Sequence, residues 1–288
     1  MAFPPTPFGM SIHEILSKAL AEDTGDGDHT SLSTIPAAHT SRGLVRAKQE
    51  GIVAGIAIAN KVCEIVDPTL RVESNVDDGA TIRPGDLLMS ISGNTRSLLC
   101  AERLLLNCLQ RMSGIATFTH SFVTAITGTN CRILDTRKTT PNIRVLEKWA
   151  VQLGGGANHR FGLFDMILIK DNHVDAAGGI GPAIQRANDY LFTTGKKLAI
   201  EIETRNINEV KEAIAAGTIQ RIMLDNFSPE QLSEAVKLID GRFETEASGG
   251  ITLSTVRRFA ETGVDFISVG ALTHSFSSLD ISMKIQPA

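Results

Sequence analysis

Five cationic side chains lie after or between short apolar runs in the part of the sequence that begins at Cys131. Each of them alone is typical of a solvated loop charge. Together, however, they are too numerous to be paired only with the carboxylates close to them in sequence. Arginine binds a planar carboxylate through two parallel hydrogen bonds, whereas lysine acts as a mobile point charge. A set that contains both therefore predicts a site for a ligand with several carboxylate or phosphate groups. The set comprises Arg137, Lys138, His159, Arg160 and Lys170.

Carboxylates follow on the next two apolar runs. Glu201 and Glu203 stand two residues apart, so on a β-strand both would face the same side, with Cα atoms roughly 6.6 Å apart. Buried carboxylates are costly unless a cation or a metal compensates them. With Asp225 after the following run, they could hold a hard divalent ion such as magnesium (Mg2+), largely through water. The alternative is that they pair only with nearby cations, and the sequence leaves open whether Glu201 or Glu203 lies nearer the metal.

Small residues end the last two runs. Ser248-Gly249-Gly250 and Gly270-Ala271 each follow an apolar run and are predicted to open a helix. Exposed main-chain amides at a helix N-terminus bind phosphate, as they do after the last strands of many β/α barrels. Two such turns in successive positions predict a phosphate site, to which His274 could add a donor.

The elements that must bring these side chains together are apolar runs separated by helical segments, for example at 207–216 and 229–239. This alternation is typical of a parallel sheet, and its repetition predicts a β/α barrel with its active site at the carboxyl ends of the strands. About six runs occur, which favours an incomplete, six-stranded barrel over an ordinary eight-stranded one. The runs are 132–135, 166–170, 198–203, 221–225, 243–247 and 266–270.

The first half of the chain has a different organisation. Residues 11–21 have helical periodicity, and short strands and hairpins around a helix at 56–66 are predicted over 42–98. The stretch 77–88 resembles the hairpins of biotinyl and lipoyl carrier domains, but no lysine stands at the usual tip, which favours a structural role. A long helix over 96–126, bent or divided at Gly114, is predicted to link the two parts.

Bulk properties exclude several classes of function. The chain has 288 residues, 42% hydrophobic and 21% charged, with a formal net charge of -4, so no nucleic-acid-binding surface is indicated. Its four cysteines show neither a CxxC pair nor metal-ligand spacing, which favours reduced thiols in the cytoplasm. Residues 1–10 lack the features of a signal peptide, and no apolar run is long enough to span a membrane.

Several long motifs are spread through almost the whole chain. They are the stretches 22–31, 101–116, 135–141, 154–160, 169–173, 224–227 and 246–252. Together these motifs resemble the quinolinate phosphoribosyltransferase family, the carboxylating nicotinate-nucleotide pyrophosphorylases.

The resemblance implies an α/β fold, with an N-terminal α/β sandwich domain plus an incomplete, about six-stranded β/α barrel. The sandwich would comprise residues 1–117 joined by the tail 275–288, and the catalytic barrel residues 118–274. It also implies a homodimer whose active sites are shared between subunits, with assembly beyond the dimer left open. The implied reaction converts quinolinate and 5-phosphoribosyl 1-pyrophosphate to nicotinate mononucleotide, pyrophosphate and CO2 in NAD biosynthesis.

The resemblance also implies roles for individual residues. Quinolinate would be held by Arg103 of the partner subunit together with the five cations, among which Lys138 and Lys170 would be catalytic. Glu203 and Asp225 would be catalytic and would hold Mg2+ and the ribose hydroxyls. The phosphoribosyl pyrophosphate would also be bound by Ser248, Gly249, Gly250, Gly270, Ala271 and His274.

Two other enzymes fit parts of the pattern. A Schiff-base lyase would use Lys170 as its nucleophile, since such barrels place a lysine at a strand end. A sister enzyme would take nicotinate or another heterocycle. The number of cations favours a diacid, because a monoacid would leave some of them without a partner.

Overall fold

The computed structural model describes Pro4 and residues 11–287. The expectation that no signal peptide occupies residues 1–10 falls almost wholly outside the described residues. The chain forms two compact units, described separately below. The first comprises Met1–His120, Thr139–Gly155 and Leu272–Ala288, and the second comprises Ser121–Lys138 and Gly156–Ala271. Within the part of the chain that the structure describes, no helix is long and apolar enough to cross a membrane.

The helices and strands of the described residues are numbered in chain order. The helices are α1 Ile12–Thr24, α2 His29–Thr34, α3 Ile56–Val66, α4 Thr95–Ala125, α5 Arg144–Leu153, α6 Asp171–Ala177, α7 Ile180–Thr194, α8 Ile207–Ala216, α9 Pro229–Ile239, α10 Val256–Ala260 and α11 Ala271–His274. The strands are β1 Thr40–Ala47, β2 Gly51–Ile52, β3 Arg71–Ser74, β4 Thr81–Ile82, β5 Leu87–Asn94, β6 Arg132–Leu134, β7 Ile167–Ile169, β8 Ile200–Thr204, β9 Arg221–Asp225, β10 Glu244–Ser248, β11 Phe266–Ser268 and β12 Ile281–Pro287.

The first unit is built on an antiparallel sheet with the strand order β12-β1-β5-β3. Burial alternates along β1, as expected for a strand with one face on a core. Val45 is fully buried on that face and pairs with Met89 of β5 and Met283 of β12. The strand that begins at Ile281 therefore completes a sheet whose other members come from the start of the chain.

The stretch that resembles carrier hairpins has a structural contact. Asp78 accepts hydrogen bonds from three successive main-chain N–H groups at the start of α3, those of Gly55, Ile56 and Ala57. These N–H groups have no partner within the helix, and a carboxylate here also interacts favourably with the helix dipole. The hairpin stretch thus fixes the beginning of α3.

The long helix predicted over 96–126 is present as α4, a single element of 31 residues. Gly114 does not divide it, so that part of the prediction was wrong. A Cβ atom at Gly114 would overlap the carbonyl oxygen of Ser277 and lie 2.9 Å from the Cα of Ser278. Glycine is needed here for the close approach of another chain segment.

The second unit contains a six-stranded parallel sheet with the order β6-β11-β10-β9-β8-β7. The predicted α/β class and the six strands are confirmed. Within residues 11–287, β6 and β7 do not pair with each other, so the sheet remains open. Ala157 forms one further parallel bridge to Leu134 of β6, which brings the residues that follow it to the edge of the sheet.

Two expectations differ in detail from the structure. The helix expected directly after Ser248-Gly249-Gly250 begins only at Val256, because residues 249–255 form bends and turns. Gly270-Ala271 does lead directly into α11. The segment Thr139–Gly155, placed in the barrel by the sequence-based boundaries, belongs to the first compact unit. There Glu147 of α5 pairs with Arg111 of α4.

Candidate active site

Two guanidinium groups lie near each other after the first strand of the parallel sheet. Arg137 follows β6 and is exposed, and Arg160 follows the segment that bridges to β6. Burial lowers the pKa of Arg160, and the positive charge of Arg137 lowers it further, against the opposite effects of Glu201 and Asp165. Positive charges that repel each other are stabilised by an anion, and a ligand carboxylate would supply it.

A loop fixes the direction of the Arg160 side chain. The guanidinium donates to the carbonyl oxygen of Met166 at 3.2 Å. Asp165 accepts hydrogen bonds from the main-chain N–H groups of Phe161 and Gly162, at 2.6 and 2.9 Å, and so closes the turn between Arg160 and Met166.

The His159 side chain lies in the interior of the unit. Its side chain is 6% exposed, and Nε2 lies 2.9 Å from a carboxylate oxygen of Glu201 and 3.4 Å from one of Glu246. Both carboxylates are fully buried, and Glu246 also pairs with Arg221 at 2.9 Å. The predicted direct role of His159 toward quinolinate stays a prediction, but in this structure the imidazole contacts carboxylates of the protein.

The carboxylates attract a proton to this buried cluster. Burial lowers the pKa of His159, but the hydrogen bonds and charges of Glu201 and Glu246 outweigh it and raise the pKa to about 9. Burial and the charge of Glu246 raise the pKa of Glu201 to about 7. The Arg160 N–H donates to Nδ1 of His159 at 2.7 Å, so Nδ1 carries no proton and the imidazole proton lies on Nε2. The raised pKa then describes a proton that is shared by His159, Glu201 and Glu246 as a group.

A second cluster of opposite charges lies farther along the sheet. Lys170, after β7, donates to Glu203 of β8 at 2.8 Å, with the lysine side chain 47% exposed and the glutamate nearly buried. Burial raises the pKa of Asp225 at the end of β9, and the negative charge of Glu203 raises it further. Lys170, Glu203 and Asp225 are therefore brought together, while Glu201 belongs to the His159 cluster.

The turn after β10 packs tightly on the turn after β9. Asn226 donates to Asp225 at 2.6 Å, and its main-chain N–H donates to the carbonyl of Ser248. Gly249 has φ +98° and no room for a side chain, because a Cβ atom there would overlap the Asn226 side chain. Gly250 has φ +60° with open space around it. The two glycines thus bring a main-chain segment close to Asp225.

The remaining predicted residues lie in different parts of the structure. Lys138 is exposed directly after Arg137, and Gly270 and Ala271 follow β11 in the second unit. Arg103 is exposed on α4 and His274 ends α11, and both belong to the first unit. Their roles remain predictions.

Sequence reasoning missed several residues that organise the site. Asp135, fully buried, accepts a hydrogen bond from the main-chain N–H of His159 at 2.8 Å. Glu246 and Arg221 form the buried network described above, and Asn226 adopts a positive φ of 57°. The detectable signal for Glu246 was a charged residue within an otherwise buried strand, as for Glu201.

Models of one protein family match nearly the whole described chain. The family description "Quinolinate phosphoribosyl transferase, N-terminal domain" matches residues 28–113, and "Quinolinate phosphoribosyl transferase, C-terminal domain" matches residues 115–284. The chain belongs to the quinolinate phosphoribosyltransferase family. The predictions of this family and of a phosphoribosyltransferase, a pentosyltransferase, are confirmed.

Relatives of this family align over almost the full length. A quinolinate phosphoribosyltransferase [decarboxylating] 2, mitochondrial, of Nicotiana glauca is 46% identical over 98% of this chain and 84% of its own. A nicotinate-nucleotide pyrophosphorylase [carboxylating], chloroplastic, of Arabidopsis thaliana is 47% identical over 98% and 85%. The crystal structure of NadC from Streptococcus pyogenes is 39% identical, covers 100% of both chains and has a TM-score of 0.93.

Membership in the quinolinate phosphoribosyltransferase family decides between the alternative functions. A carrier domain built on the stretch 77–88 is excluded as the function of the chain, in agreement with the structural role of Asp78. A Schiff-base lyase has no support either, since the Lys170 ammonium is held by Glu203.

Proposed function

We propose that the chain transfers the phosphoribosyl group of 5-phosphoribosyl 1-pyrophosphate to quinolinate and releases pyrophosphate and CO2, which yields nicotinate mononucleotide for NAD biosynthesis. The observation that carries the placement of the reaction is the pair of neighbouring guanidiniums of Arg137 and Arg160. A planar diacid such as quinolinate supplies one carboxylate to each guanidinium, whereas a monoacid supplies a carboxylate to only one of them.

The quinolinate carboxylates would be bound at the β6 end of the sheet. Arg137 and Arg160 would each hold a carboxylate, and Lys138 would add a mobile charge. Arg103 would complete the pocket from the partner subunit in a homodimer. Its exposed position on α4 supports this role, since an exposed cation is available to a second chain. Assembly of dimers into a larger oligomer is compatible with this arrangement.

The phosphoribosyl pyrophosphate would lie across the ends of β9 and β10. Glu203 and Asp225 would bind the ribose hydroxyls and Mg2+, and the turn at Ser248, Gly249 and Gly250 would bind the 5-phosphate with its main-chain N–H groups. Gly270, Ala271 and His274 are proposed to assist at this phosphate.

The carboxylate pair fits a magnesium ion chemically. Glu203 raises the pKa of Asp225, which means that the two carboxylates repel each other, and a hard cation would relieve this repulsion. Lys170 already neutralises part of the charge on Glu203, in agreement with a metal held largely through water. When bound, Mg2+ would neutralise the leaving pyrophosphate.

The side chains would mainly orient the substrates and stabilise charge. The pyridine nitrogen of quinolinate attacks the anomeric carbon as the bond to pyrophosphate breaks. The developing oxocarbenium charge would be stabilised by the carboxylates of Glu203 and Asp225. Attack leaves a pyridinium ring, and the adjacent carboxylate then departs as CO2 because the electron pair left on carbon is stabilised by the neighbouring positive nitrogen. A proton replaces the lost carboxylate, and we assign its delivery to Lys170 or Lys138.

The cytoplasm is the proposed compartment. It is supported by the four free cysteines Cys63, Cys100, Cys108 and Cys131, because a reducing compartment maintains thiols in this state.

The reaction is tested with quinolinate labelled in its 2-carboxylate, incubated with Mg2+ and phosphoribosyl pyrophosphate. Labelled CO2 and nicotinate mononucleotide are expected in equal amounts, with no nucleotide from nicotinate. Arg137→Lys should raise the KM for quinolinate by about tenfold, because lysine cannot form the two parallel hydrogen bonds that arginine makes to a carboxylate. Arg132→Lys, at the opposite end of β6, is the matched control and should leave that KM unchanged.

Each other outcome identifies a different error. Turnover of nicotinate without turnover of quinolinate would overturn the diacid argument. Equal effects of Arg137→Lys and Arg132→Lys would remove Arg137 from the quinolinate pocket. Full activity in a chelator would exclude the proposed role of Mg2+ at Glu203 and Asp225.

A further inference from the structure

The buried cluster around His159 has no part in the chemical steps proposed above. Its two carboxylates, Glu201 of β8 and Glu246 of β10, are fully buried, and each is costly in that position without a partner. Parallel strands place both within ion-pair distance of one nitrogen, Nε2 of His159. A cluster with such a cost calls for a function other than packing.

His159 is fixed from three directions. Its Nε2 edge faces Glu201 and Glu246, and its Nδ1 accepts the main-chain N–H of Arg160 at 2.7 Å. Its own main-chain N–H donates to the buried carboxylate of Asp135 at 2.8 Å. Rotation of the ring would break the contacts at both edges at once, so the orientation of the ring and the main-chain position of Arg160 depend on each other.

Arg221 balances the charge of the cluster. Its guanidinium contacts Glu246 and Glu244, both at 2.9 Å, and lies 4.1 Å from the centre of the Phe266 ring. The three groups His159, Glu201 and Glu246 also have the composition of a metal site, with ligand atoms within 4.8 Å of one another. The guanidinium of Arg221 already contacts the Glu246 oxygen that faces His159, and it supplies the positive charge that a metal would otherwise bring.

We propose that Glu201 and Glu246 are positioning residues for quinolinate: by holding the His159 ring they fix the main chain at Arg160, whose guanidinium then meets the carboxylate. This inference rests on the proposed function, since it assumes that Arg160 binds quinolinate. It assigns a role in substrate binding to two residues that do not themselves reach the substrate.

The strand β10 offers a matched pair of variants. Glu246→Gln removes a charge that contacts both His159 and Arg221, whereas Glu244→Gln removes one that contacts Arg221 alone. We expect Glu246→Gln to raise the KM for quinolinate by about tenfold or more, because the buried negative charge that lies 3.4 Å from Nε2 of His159 is lost. The KM for phosphoribosyl pyrophosphate should change less than about twofold, and Glu244→Gln should change neither value. A purely structural role would change both values together.

Non-additivity tests the route through His159. In a His159→Gln background, Glu246→Gln should raise the KM for quinolinate no further, because the effects of two substitutions that act through one partner are not additive. Full additivity of the two changes would overturn the proposal, as would an unchanged KM in Glu246→Gln.

Two measurements on the unaltered protein remain informative even if Glu246→Gln does not fold. In 15N-histidine-labelled protein, the His159 signal, identified by its loss in His159→Gln, should show a proton on Nε2; an unprotonated Nε2 would overturn the proposal. Metal analysis should find no stoichiometric zinc, and one zinc per chain bound at His159 would replace this inference with a metal site. If the unaltered protein does not convert quinolinate, the proposed function fails instead.

Discussion

Gly249 offers a quantitative test of the turn that we assign to the 5-phosphate. Gly249→Ala would place a methyl group against the side chain of Asn226 and 3.0 Å from its main-chain nitrogen, at a φ of +98°. Gly250→Ala adds the same methyl group at φ +60°, with nothing within 4 Å. The pair separates steric overlap from backbone strain.

Backbone strain and steric overlap together determine how much stability each variant should lose. A residue other than glycine in the left-handed region costs about 1–2 kcal/mol, which is the whole cost expected for Gly250→Ala. Overlap in a packed environment adds about 1–3 kcal/mol, so Gly249→Ala should lower the free energy of unfolding by about 2–5 kcal/mol. Displacement of the turn should also raise the KM for phosphoribosyl pyrophosphate in Gly249→Ala and leave the KM for quinolinate nearly unchanged.

Chemical denaturation and initial-rate kinetics on both variants measure these effects. The double variant Gly249→Ala/Asn226→Gly provides a further control. It lacks the Asn226 side-chain atoms that overlap the new methyl group, so it should be more stable than Gly249→Ala alone. Equal losses of stability in Gly249→Ala and Gly250→Ala would refute the steric argument. A rise in the KM for quinolinate alone would refute the assignment of the turn to the phosphate.

Two further predictions concern the packing of the fold. Asp78→Ala should lower the free energy of unfolding by about 1–3 kcal/mol, because three main-chain N–H groups lose their acceptor. Asp77 is exposed, so Asp77→Ala should change this free energy by less than about 0.5 kcal/mol in the same denaturation assay. Burial raises the pKa of the Cys63, Cys108 and Cys131 thiols to about 12. At pH 8 a thiol reagent should therefore modify them far more slowly in the native protein than after denaturation. Equal rates of modification would contradict their burial.

The sequence predicted the parallel sheet because its signal is local. Each strand is a short apolar run, and each intervening helix has its own periodicity, so six strands could be counted without knowledge of their pairing. The prediction that a helix begins directly after Ser248-Gly249-Gly250 was wrong, because consecutive glycines are compatible both with a helix start and with an open turn. Only the packing of Asn226 against Gly249 decides between them.

The charged residues of the site were harder to place because their partners are distant in sequence. Glu201 and Glu203 are equivalent by spacing, yet one contacts His159 and the other Lys170. The distinction depends on Glu246, which lies two strands away in the sheet and 45 positions beyond Glu201 in the chain. No local pattern contains that information.

The pairing of β12 with β1 has a consequence for the order in which the protein can fold during synthesis. Residues 41–47 pair with residues 281–287, so β1 leaves the ribosome long before its neighbour is made. Until then one side of β1 presents unpaired N–H and C=O groups, which favour association with other chains. The first unit therefore cannot close its sheet before the second unit has been translated, and that interval is when the nascent chain is most prone to aggregate.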